Sequence, residues 1–484
     1  MKLKDIIKGI DCQTTGNVDV EVSAIEFDSR RVGQGCVFVA QRGTKVDGHQ
    51  FIGQATVQGA VAVVCEELPL DVNTTLTYLK VDDSSRALGQ MASNFYGNPS
   101  AKLKLVGITG TNGKTTTVTM LHRMFRHMGY HAGLLSTIVN RIDDEPVAST
   151  HTTPDALELN RLLAQMVEAG CEYCFMEVSS HSVVQQRIAG LTFFGGIFSN
   201  ITHDHLDFHK TMAAYIAAKK GFFDQLPEGA FALTNIDDRN GMVMVQNTRA
   251  KVFTYSLMHM ADFRCKVVEE SFSGMLLEVN GSEVWCRLVG RFNAYNLMAI
   301  YGAATLCGMG RDEALVALSQ LEAAEGRFQY VEGRGVTAIV DYAHTPDALQ
   351  NVIATINAIR TKSQRLITVV GCGGDRDRTK RPEMARIAAA GSDHLVLTSD
   401  NPRTEDPDDI LDDMESGLSP DSLSMTVRIA DRRQAIRTAC MIAREGDIIL
   451  IAGKGHEKYQ DVAGVKHHFD DCEEVSQHLN VKTK

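Results

Sequence analysis

No stretch of this 484-residue chain approaches the roughly 20 consecutive apolar residues of a membrane-spanning helix, so no span is expected. The opening Met1-Lys-Leu-Lys-Asp-Ile-Ile-Lys8 sets charges among its apolar residues and lacks a signal-peptide core, which makes the cytoplasm the expected compartment. Cysteine follows no repeating frame: the 11 residues are odd in number and scattered, which fits reduced thiols and argues against a disulfide scaffold. Positive charge is not in excess either. A formal net charge of −11 speaks against general nucleic-acid binding, while leaving room for a local basic pocket for an anionic substrate. Neither a fixed-period repeat nor a low-complexity segment is evident. What remains is a globular composition, 44% hydrophobic and 23% charged, in a chain long enough for about three domains.

The strongest local signal lies around Lys114. Residues 103–109 are apolar and β-branched enough for a buried strand, and Val118, Leu121, Phe125 and Met128 recur at helical spacing until Gly129 supplies a C-cap. Between them runs Gly110-Thr-Asn-Gly-Lys-Thr-Thr116. Gly110 and Gly113 let backbone N–H groups close around phosphate oxygens at a helix N-terminus, whose dipole favours negative charge. Lys114 would reach the β- and γ-phosphates and Thr115 would offer its hydroxyl to Mg²⁺. Ile108 stands where the common G-x-x-x-x-G-K-[ST] pattern begins with glycine, so the form here is G-x-x-G-K-T-T. The bland alternative is a tight strand-to-helix connection with an accidental lysine.

The pattern along the chain predicts an α/β protein of three domains. Residues 1–98 read as a small α/β unit, with apolar runs at 18–25, 36–40, 60–65 and 76–81 and a helical pattern at 84–95. Its turn Asp28-Ser-Arg-Arg31 and loop 43–48 are candidate ligand contacts, or simply turns. Residues 99–325 repeat strand, polar motif and helix in the manner of a parallel-sheet nucleotide-binding domain. Strands at 173–178, 196–199 and 231–235 carry polar residues at their ends, where Glu177, Asn200, His203, His205 and Asp207 should meet the nucleotide. Residues 326–484 begin the pattern afresh as a Rossmann-like domain, with strands at 336–340, 366–370, 394–398 and 448–452, each ending in a polar tip.

Several clusters bear chemistry. His203-x-His205-x-Asp207-x-His209 is dense in metal ligands and admits a zinc reading, but beside a phosphate loop Mg²⁺ held by Glu177 and one histidine fits better. A polar loop with fortuitous histidines is the alternative. Cys171-Glu-Tyr-Cys174 has no second pair and runs into a buried strand, so it reads as two small apolar residues. Lys219 and Lys220 stand together in a helix-forming segment, and spacing makes both solvent-facing. The tips of the last domain set Arg376 and Arg378 beside Asp375 and Asp377, Arg403 beside Asp400, and Lys454 beside Glu457. That mixture suits an amphoteric ligand, or ion pairs within the chain.

Taken together, Gly110-Thr-Asn-Gly-Lys-Thr-Thr116, Glu177-Val-Ser-Ser-His181, Asn200-Ile-Thr-His-Asp-His-Leu-Asp-Phe-His209, Tyr215-x-x-Ala-Lys219, Gly290-Arg-Phe-Asn-x-x-Asn296, Gly326-Arg327, Asp341-Tyr-Ala-His-Thr-Pro346, Asp400-Asn-Pro-Arg403 and Gly453-Lys-Gly-His-Glu457 resemble the Mur ligases, ATP-dependent amide-forming enzymes of peptidoglycan precursor synthesis. The resemblance spans nearly the whole chain. Folylpolyglutamate synthetases share the central fold and phosphate loop, but the amino-terminal unit and the Asp-Asn-Pro-Arg tip point away from them. Gly326-Arg-Phe-Gln329 departs from relatives that often carry Met-Glu after the arginine.

The resemblance implies addition of meso-2,6-diaminopimelate to UDP-MurNAc-L-Ala-D-Glu through an acyl phosphate, by a cytoplasmic monomer using ATP and Mg²⁺. It assigns Gly110, Thr111, Asn112, Gly113, Lys114, Thr115, Thr116, Asn296, Arg327 and Asp341 to ATP. Thr115, Glu177 and His205 fall to Mg²⁺, and Lys219 to carbamoylation. The UDP end of the substrate would meet Phe27, Asp28, Ser29, Thr44, Lys45 and Val46, and its sugar-peptide end His151, Thr152, Thr153, Ser179, Gln185 and Arg187. Arg376, Asp400, Asn401, Pro402, Arg403, Gly453 and Glu457 would bind meso-diaminopimelate.

Overall fold

The computed structural model describes residues 1–43, 46–149, 152–204, 206–323 and 326–480, with nothing said of the side chains of Leu206 and Asp207. Three main sheets follow one another along the chain. The first contains β1 (Gln13–Thr15), β2 (Ala24–Glu26), β3 (Cys36–Val39), β4 (Ala60–Cys65) and β5 (Thr77–Lys80) in the order β1-β5-β4-β3-β2. Only β1 runs antiparallel to its neighbour. Cys-Val-Phe-Val of β3 is buried throughout, as expected where a parallel strand is covered on both faces. The apolar run at 18–25 shortens to β2. The helix Ser84–Phe95 begins where its periodicity predicts, with Asp83 accepting the Arg86 N–H as its N-cap.

The second sheet has 11 strands. They are β6 (Lys104–Thr109), β7 (Ala132–Leu135), β8 (Asn140–Ile142), β9 (Glu145–Val147), β10 (Tyr173–Glu177), β11 (Gly195–Phe198), β12 (Phe231–Asn235), β13 (Lys251–Ser256), β14 (Phe263–Ser271), β15 (Gly274–Val279) and β16 (Ser282–Cys286). Their order is β16-β15-β14-β13-β12-β11-β6-β10-β7-β8-β9. Parallel pairing runs from β7 through β10, β6, β11, β12 and β13 to β14. Antiparallel pieces finish both ends, β8–β9 at one and β14–β16 at the other. Alternation along β6 explains the two layers of core. Val106 and Ile108 join the cluster under the helices Lys114–His127 and Arg291–Leu306, while Leu105 joins the opposite cluster with Leu159, Leu163 and Phe222.

The third sheet holds β17 (Gln329–Gly333), β18 (Val336–Asp341), β19 (Leu366–Val370), β20 (His394–Leu397), β21 (Thr426–Arg428) and β22 (Ile448–Ala452) in the order β17-β18-β22-β19-β20-β21. All but β17 are parallel. On the helix Pro346–Ile359, Leu349, Val352, Ile353 and Ile356 are buried as their spacing predicts, while Ile359 is half-buried. A hairpin, β23 (Tyr459–Val462) with β24 (Val465–His468), lies beyond. The second and third units meet at their strand-end loops. Asn112 of the phosphate loop donates from Nδ2 to Asp347 Oδ2 at 2.8 Å, and His203 Nε2 lies 3.7 Å from Asp377 Oδ2.

Candidate active site

The loop after β6 is held rigidly from its neighbours. Thr111 N–H donates to the Asn200 carbonyl at 2.8 Å, Asn112 N–H to Asn200 Oδ1 at 2.9 Å, and Ser199 Oγ to the Asn112 carbonyl at 2.7 Å. Gly113 sits at φ +88°, and a Cβ there would lie 2.4 Å from Asn296 Oδ1, so the glycine is what lets Asn296 approach. The helix then starts at Lys114, with Thr115 and Thr116 buried in its first turn. Lys114 Nζ donates to the carbonyls of Gly110 and Thr111, each at 2.9 Å.

Lys219 converges on the same place, donating to the Gly110 carbonyl at 2.7 Å, with its ammonium 4.6 Å from the centre of the Tyr215 ring. It is 1% exposed, which corrects the solvent-facing expectation from spacing, while Lys220 is half-buried and pairs with Asp224 at 2.6 Å. Burial lowers the pKa of both loop lysines. For Lys219 the neighbouring Lys114 charge adds to the effect and drives it well below the ordinary range. Two amine side chains therefore crowd one carbonyl oxygen.

Glu177, at the end of β10, is 1% exposed. Its Oε1 accepts the Thr137 N–H at 2.8 Å and its Oε2 the Thr137 hydroxyl at 3.2 Å. Thr137 was not singled out from the sequence, although it lies just past β7, at the kind of strand tip that identified the others. Around Glu177 the structure gathers Thr152, Thr153, Ser179, Gln185 and Arg187. The Thr137 and Thr152 hydroxyl oxygens lie 3.1 Å apart, Thr153 Oγ1 donates to the Glu177 carbonyl at 2.8 Å, and Arg187 Nη1 to the Thr153 carbonyl at 2.7 Å. Ser179 Oγ caps the helix Ser180–Val184, and Arg187 Nε donates to Gln185 Oε1 at 2.9 Å.

Of the histidine cluster, His205 lies outside the described residues, as do Thr44, Lys45 and His151. His209 is turned inward, its Nε2 2.9 Å from Ser180 Oγ. Among the described residues no three or more metal-ligating side chains come together; His205 and the Asp207 side chain, on which the zinc alternative depends, lie outside them. Buried Glu177 and Thr115 offer the few oxygen ligands that Mg²⁺ takes beside phosphate. Cys171 and Cys174 are buried free thiols, as expected.

The first sheet contributes less. Phe27 packs half-buried on its core, and Val46 is exposed. Asp28 caps the short helix Ser29–Arg31 and binds Arg30 with both oxygens, a bond that holds its carboxyl down to about 2. Ser29 Oγ lies 3.5 Å from Gln54 Oε1. Everything seen at Asp28 is what a turn requires.

In the third unit, burial raises the Asp341 pKa while Arg327 opposes the rise, and Asp341 Oδ2 accepts the Phe328 N–H at 2.7 Å. Asn401 Nδ2 donates to Glu457 Oε2 at 2.8 Å. Fully buried Lys454 donates to Asn401 Oδ1 at 3.0 Å and Glu457 Oε2 at 3.3 Å, with Asp400 at 4.0 Å. Gly453 N–H donates to the Asp341 carbonyl, and Pro402 is buried in the turn before Arg403. Arg403, at φ +52°, donates to the Gly374 carbonyl at 2.7 Å. Neither neighbouring acid takes it: Glu405 is bound by fully buried Arg381 at 2.8 Å, and Asp406 caps the helix Pro407–Glu415. Arg376 stands exposed at its loop tip, its Nη1 3.3 Å from the Asp375 carbonyl.

A phosphate loop that faces a second α/β unit carrying a mixed-charge pocket defines a nucleotide-dependent group-transfer enzyme. Family models match the chain at residues 21–96 (Mur ligase family, catalytic domain), 108–304 (Mur ligase middle domain) and 326–455 (Mur ligase, glutamate ligase domain). The chain belongs to the Mur ligase family of ATP-dependent amide-forming ligases. It is 54% identical over 475 residues to a Bacteroides fragilis protein, covering 98% of each chain, and 56% identical over 474 residues to one from Cytophaga hutchinsonii, covering 97% of each. Both relatives are named UDP-N-acetylmuramoyl-L-alanyl-D-glutamate--2,6-diaminopimelate ligase. A solved structure of a ligase of that name superposes with a TM-score of 0.71 at 32% identity, covering 99% of each chain.

Proposed function

We propose that this ligase joins the amino group of meso-2,6-diaminopimelate to the D-Glu carboxylate of UDP-MurNAc-L-Ala-D-Glu, with ATP converted to ADP and phosphate, as a step of cytoplasmic peptidoglycan precursor synthesis. The observation that carries the choice of amino acid is Arg403, a part-buried cation that donates to a carbonyl while the acids beside it are engaged elsewhere. Meso-diaminopimelate differs from lysine by a second carboxylate and its stereocentre. A guanidinium in reach of that carboxylate gains a charge-assisted pair, and with lysine it stays unmatched.

The site residues divide the work. ATP lies along Gly110, Thr111, Asn112, Gly113, Lys114, Thr115 and Thr116, with Asn296, Arg327 and Asp341 as further nucleotide contacts, the last two from the far side of the central cleft. Mg²⁺, held by Thr115, Glu177 and His205, would neutralise charge on the transferred phosphoryl group. Lys114 adds a second, positioned charge. The D-Glu carboxylate takes up the γ-phosphoryl group as an acyl phosphate, and the amine opens it to the amide with release of phosphate. Lys219 suits carbamoylation because its buried amine is poised to be neutral, the form that reacts with CO₂. We assign residues 1–98 to the UDP end, 99–325 to ATP and 326–484 to the amino acid, in a monomer. Thr152, Thr153, Ser179, Gln185 and Arg187, gathered around Glu177, would hold the sugar-peptide end.

Phosphate release measured with ATP and UDP-MurNAc-dipeptide, adding amino acids one at a time, tests the reading. Release should require both the dipeptide and meso-diaminopimelate. Release without any amino acid would indicate a simple nucleoside triphosphatase, and none under any condition a binding module. Equal use of L-lysine would remove the role given to Arg403.

A further inference from the structure

Tyr342, which follows Asp341 at the end of β18, has no role in the division of work above, yet it touches both halves of the site. Its ring centre lies 4.7 Å from the Arg327 guanidinium carbon, 4.5 Å from the His344 ring and 4.7 Å from the His456 ring. Its hydroxyl lies 3.4 Å from Glu457 Oε1, on the carboxylate whose other oxygen is held by Asn401 and Lys454. Burial and the nearby Glu457 charge push the phenol pKa up, so it stays a neutral donor toward that carboxylate.

The backbone around it is locked as one piece. Tyr342 N–H donates to the Gly326 carbonyl at 3.0 Å. A Cβ on Gly326 would stand 2.0 Å from the His456 nitrogen, and one on Gly455 2.6 Å from the Gly326 carbonyl oxygen. The segment bearing Arg327 and the loop bearing Glu457 therefore pack backbone against backbone, with no room to move closer. Arg327 Nε and His456 Nδ1, on either side of this contact in sequence, are buried atoms without a hydrogen-bond partner among the described residues. A buried polar atom left unmatched is costly, so these two atoms are places where a ligand or an ordered water would be held.

We propose that Tyr342 is a positioning residue that couples occupancy of the amino-acid pocket to the placement of Arg327 at the nucleotide, an inference that rests on the substrate assignment above. An ammonium arriving at Glu457 redistributes the bonds on its carboxylate. The tyrosine hydroxyl follows Oε1, and the ring carries the guanidinium that lies against it. Linkage makes the effect reciprocal: bound amino acid tightens the nucleotide and bound nucleotide tightens the amino acid by the same factor.

The test is the affinity of a non-hydrolysable ATP analogue, measured calorimetrically with Mg²⁺ and UDP-MurNAc-dipeptide present, with and without meso-diaminopimelate. The wild-type ratio should be roughly 5-fold or more, within the usual range of coupling between sites. Tyr342→Phe keeps the ring beside Arg327, so its affinity for the analogue alone should be unchanged while the ratio falls toward 1. The KM for meso-diaminopimelate should rise severalfold, and so should that for ATP at saturating meso-diaminopimelate, because the lost coupling is reciprocal. Tyr342→Leu, which lacks the ring, should weaken the analogue in both conditions. A tyrosine with a merely structural role would lower the melting temperature and leave the ratio intact. Full coupling in Tyr342→Phe overturns the proposal, as does a wild-type enzyme that turns over meso-diaminopimelate with a ratio of 1. Absence of turnover with meso-diaminopimelate in the wild type is a different result, because it fails the substrate assignment and the coupling with it.

Discussion

The phosphate loop and the Glu457 pocket both lie at the carboxyl ends of parallel strands, yet they treat charge in opposite ways. At the loop, Lys114 and Lys219 share the Gly110 carbonyl, and burial lowers both pKa values, with the Lys114 charge adding to the effect at Lys219. In the pocket, Lys454 is as deeply buried but is met by Asn401, Glu457 and Asp400. The first site sets two basic side chains against carbonyl oxygens and so favours a polyanion; the second already pairs its lysine with carboxylates and can accept a zwitterion by exchanging partners. Similar topology therefore does not imply similar ligands.

Removing the Lys219 side chain should have the largest effect. Lys219→Ala is expected to lower kcat by about 10²-fold or more, the scale of losing a positioned charged group at a phosphoryl-transfer site. Acetate or bicarbonate should restore part of the loss if the side chain acts as a carbamate, and full activity in the variant would end that assignment. Next comes Arg403→Ala, which should raise the KM for meso-diaminopimelate roughly 10- to 100-fold, as for a lost charge-assisted pair, with the KM for ATP nearly unchanged. If both constants rose together, the two sites would not be separable as described. Arg187→Ala should be milder, raising the KM for UDP-MurNAc-dipeptide about 10-fold and that for ATP much less. Equal changes would detach Arg187 from the sugar-peptide end.

The smallest effect concerns acid. Burial lowers His344 to about 4 and His456 to about 3, and His122 behind the phosphate-loop helix to about 4. In the unfolded chain these groups take up protons near pH 6.5. The unfolded state thus binds more protons, and stability falls as pH drops from about 6.5 toward 4. Thermal melts at pH 7.5, 6.5 and 5.5 should show a falling midpoint, and His456→Gln should flatten the decline. An unchanged slope in that variant would mean the imidazole is solvated in the native state.

Much of this architecture was legible in the sequence because parallel strands covered on both faces must be continuous apolar runs. The strands β3, β4, β6, β12, β19 and β22 are of that kind. The antiparallel end of the second sheet was not read. Along β14 charged residues interrupt the apolar ones, and a register shift between Val267 and Glu269 breaks the alternation. In the site, strand-tip residues announced themselves by type, as Glu177 and Asn401 did. Lys219 and Lys220 could not be told apart, because adjacent helical residues differ only in which way the packed helix turns them. The bond from Asn112 to Asp347 depends on how two units face each other, which no local pattern encodes.

The scattered free thiols have a practical consequence. Cys36 and Cys65 are buried in the first unit, Cys174, Cys265, Cys286 and Cys307 in the second, and Cys372 and Cys440 in the third. Burial pushes Cys65 and Cys440 up to about 11 and Cys307 to about 12, so these sulfurs are silent toward alkylating reagents while their surroundings stay closed. Each unit thus carries its own built-in clock. Timed alkylation read by peptide mass would report separately how often each third of the molecule opens, and which of the three a bound nucleotide keeps shut.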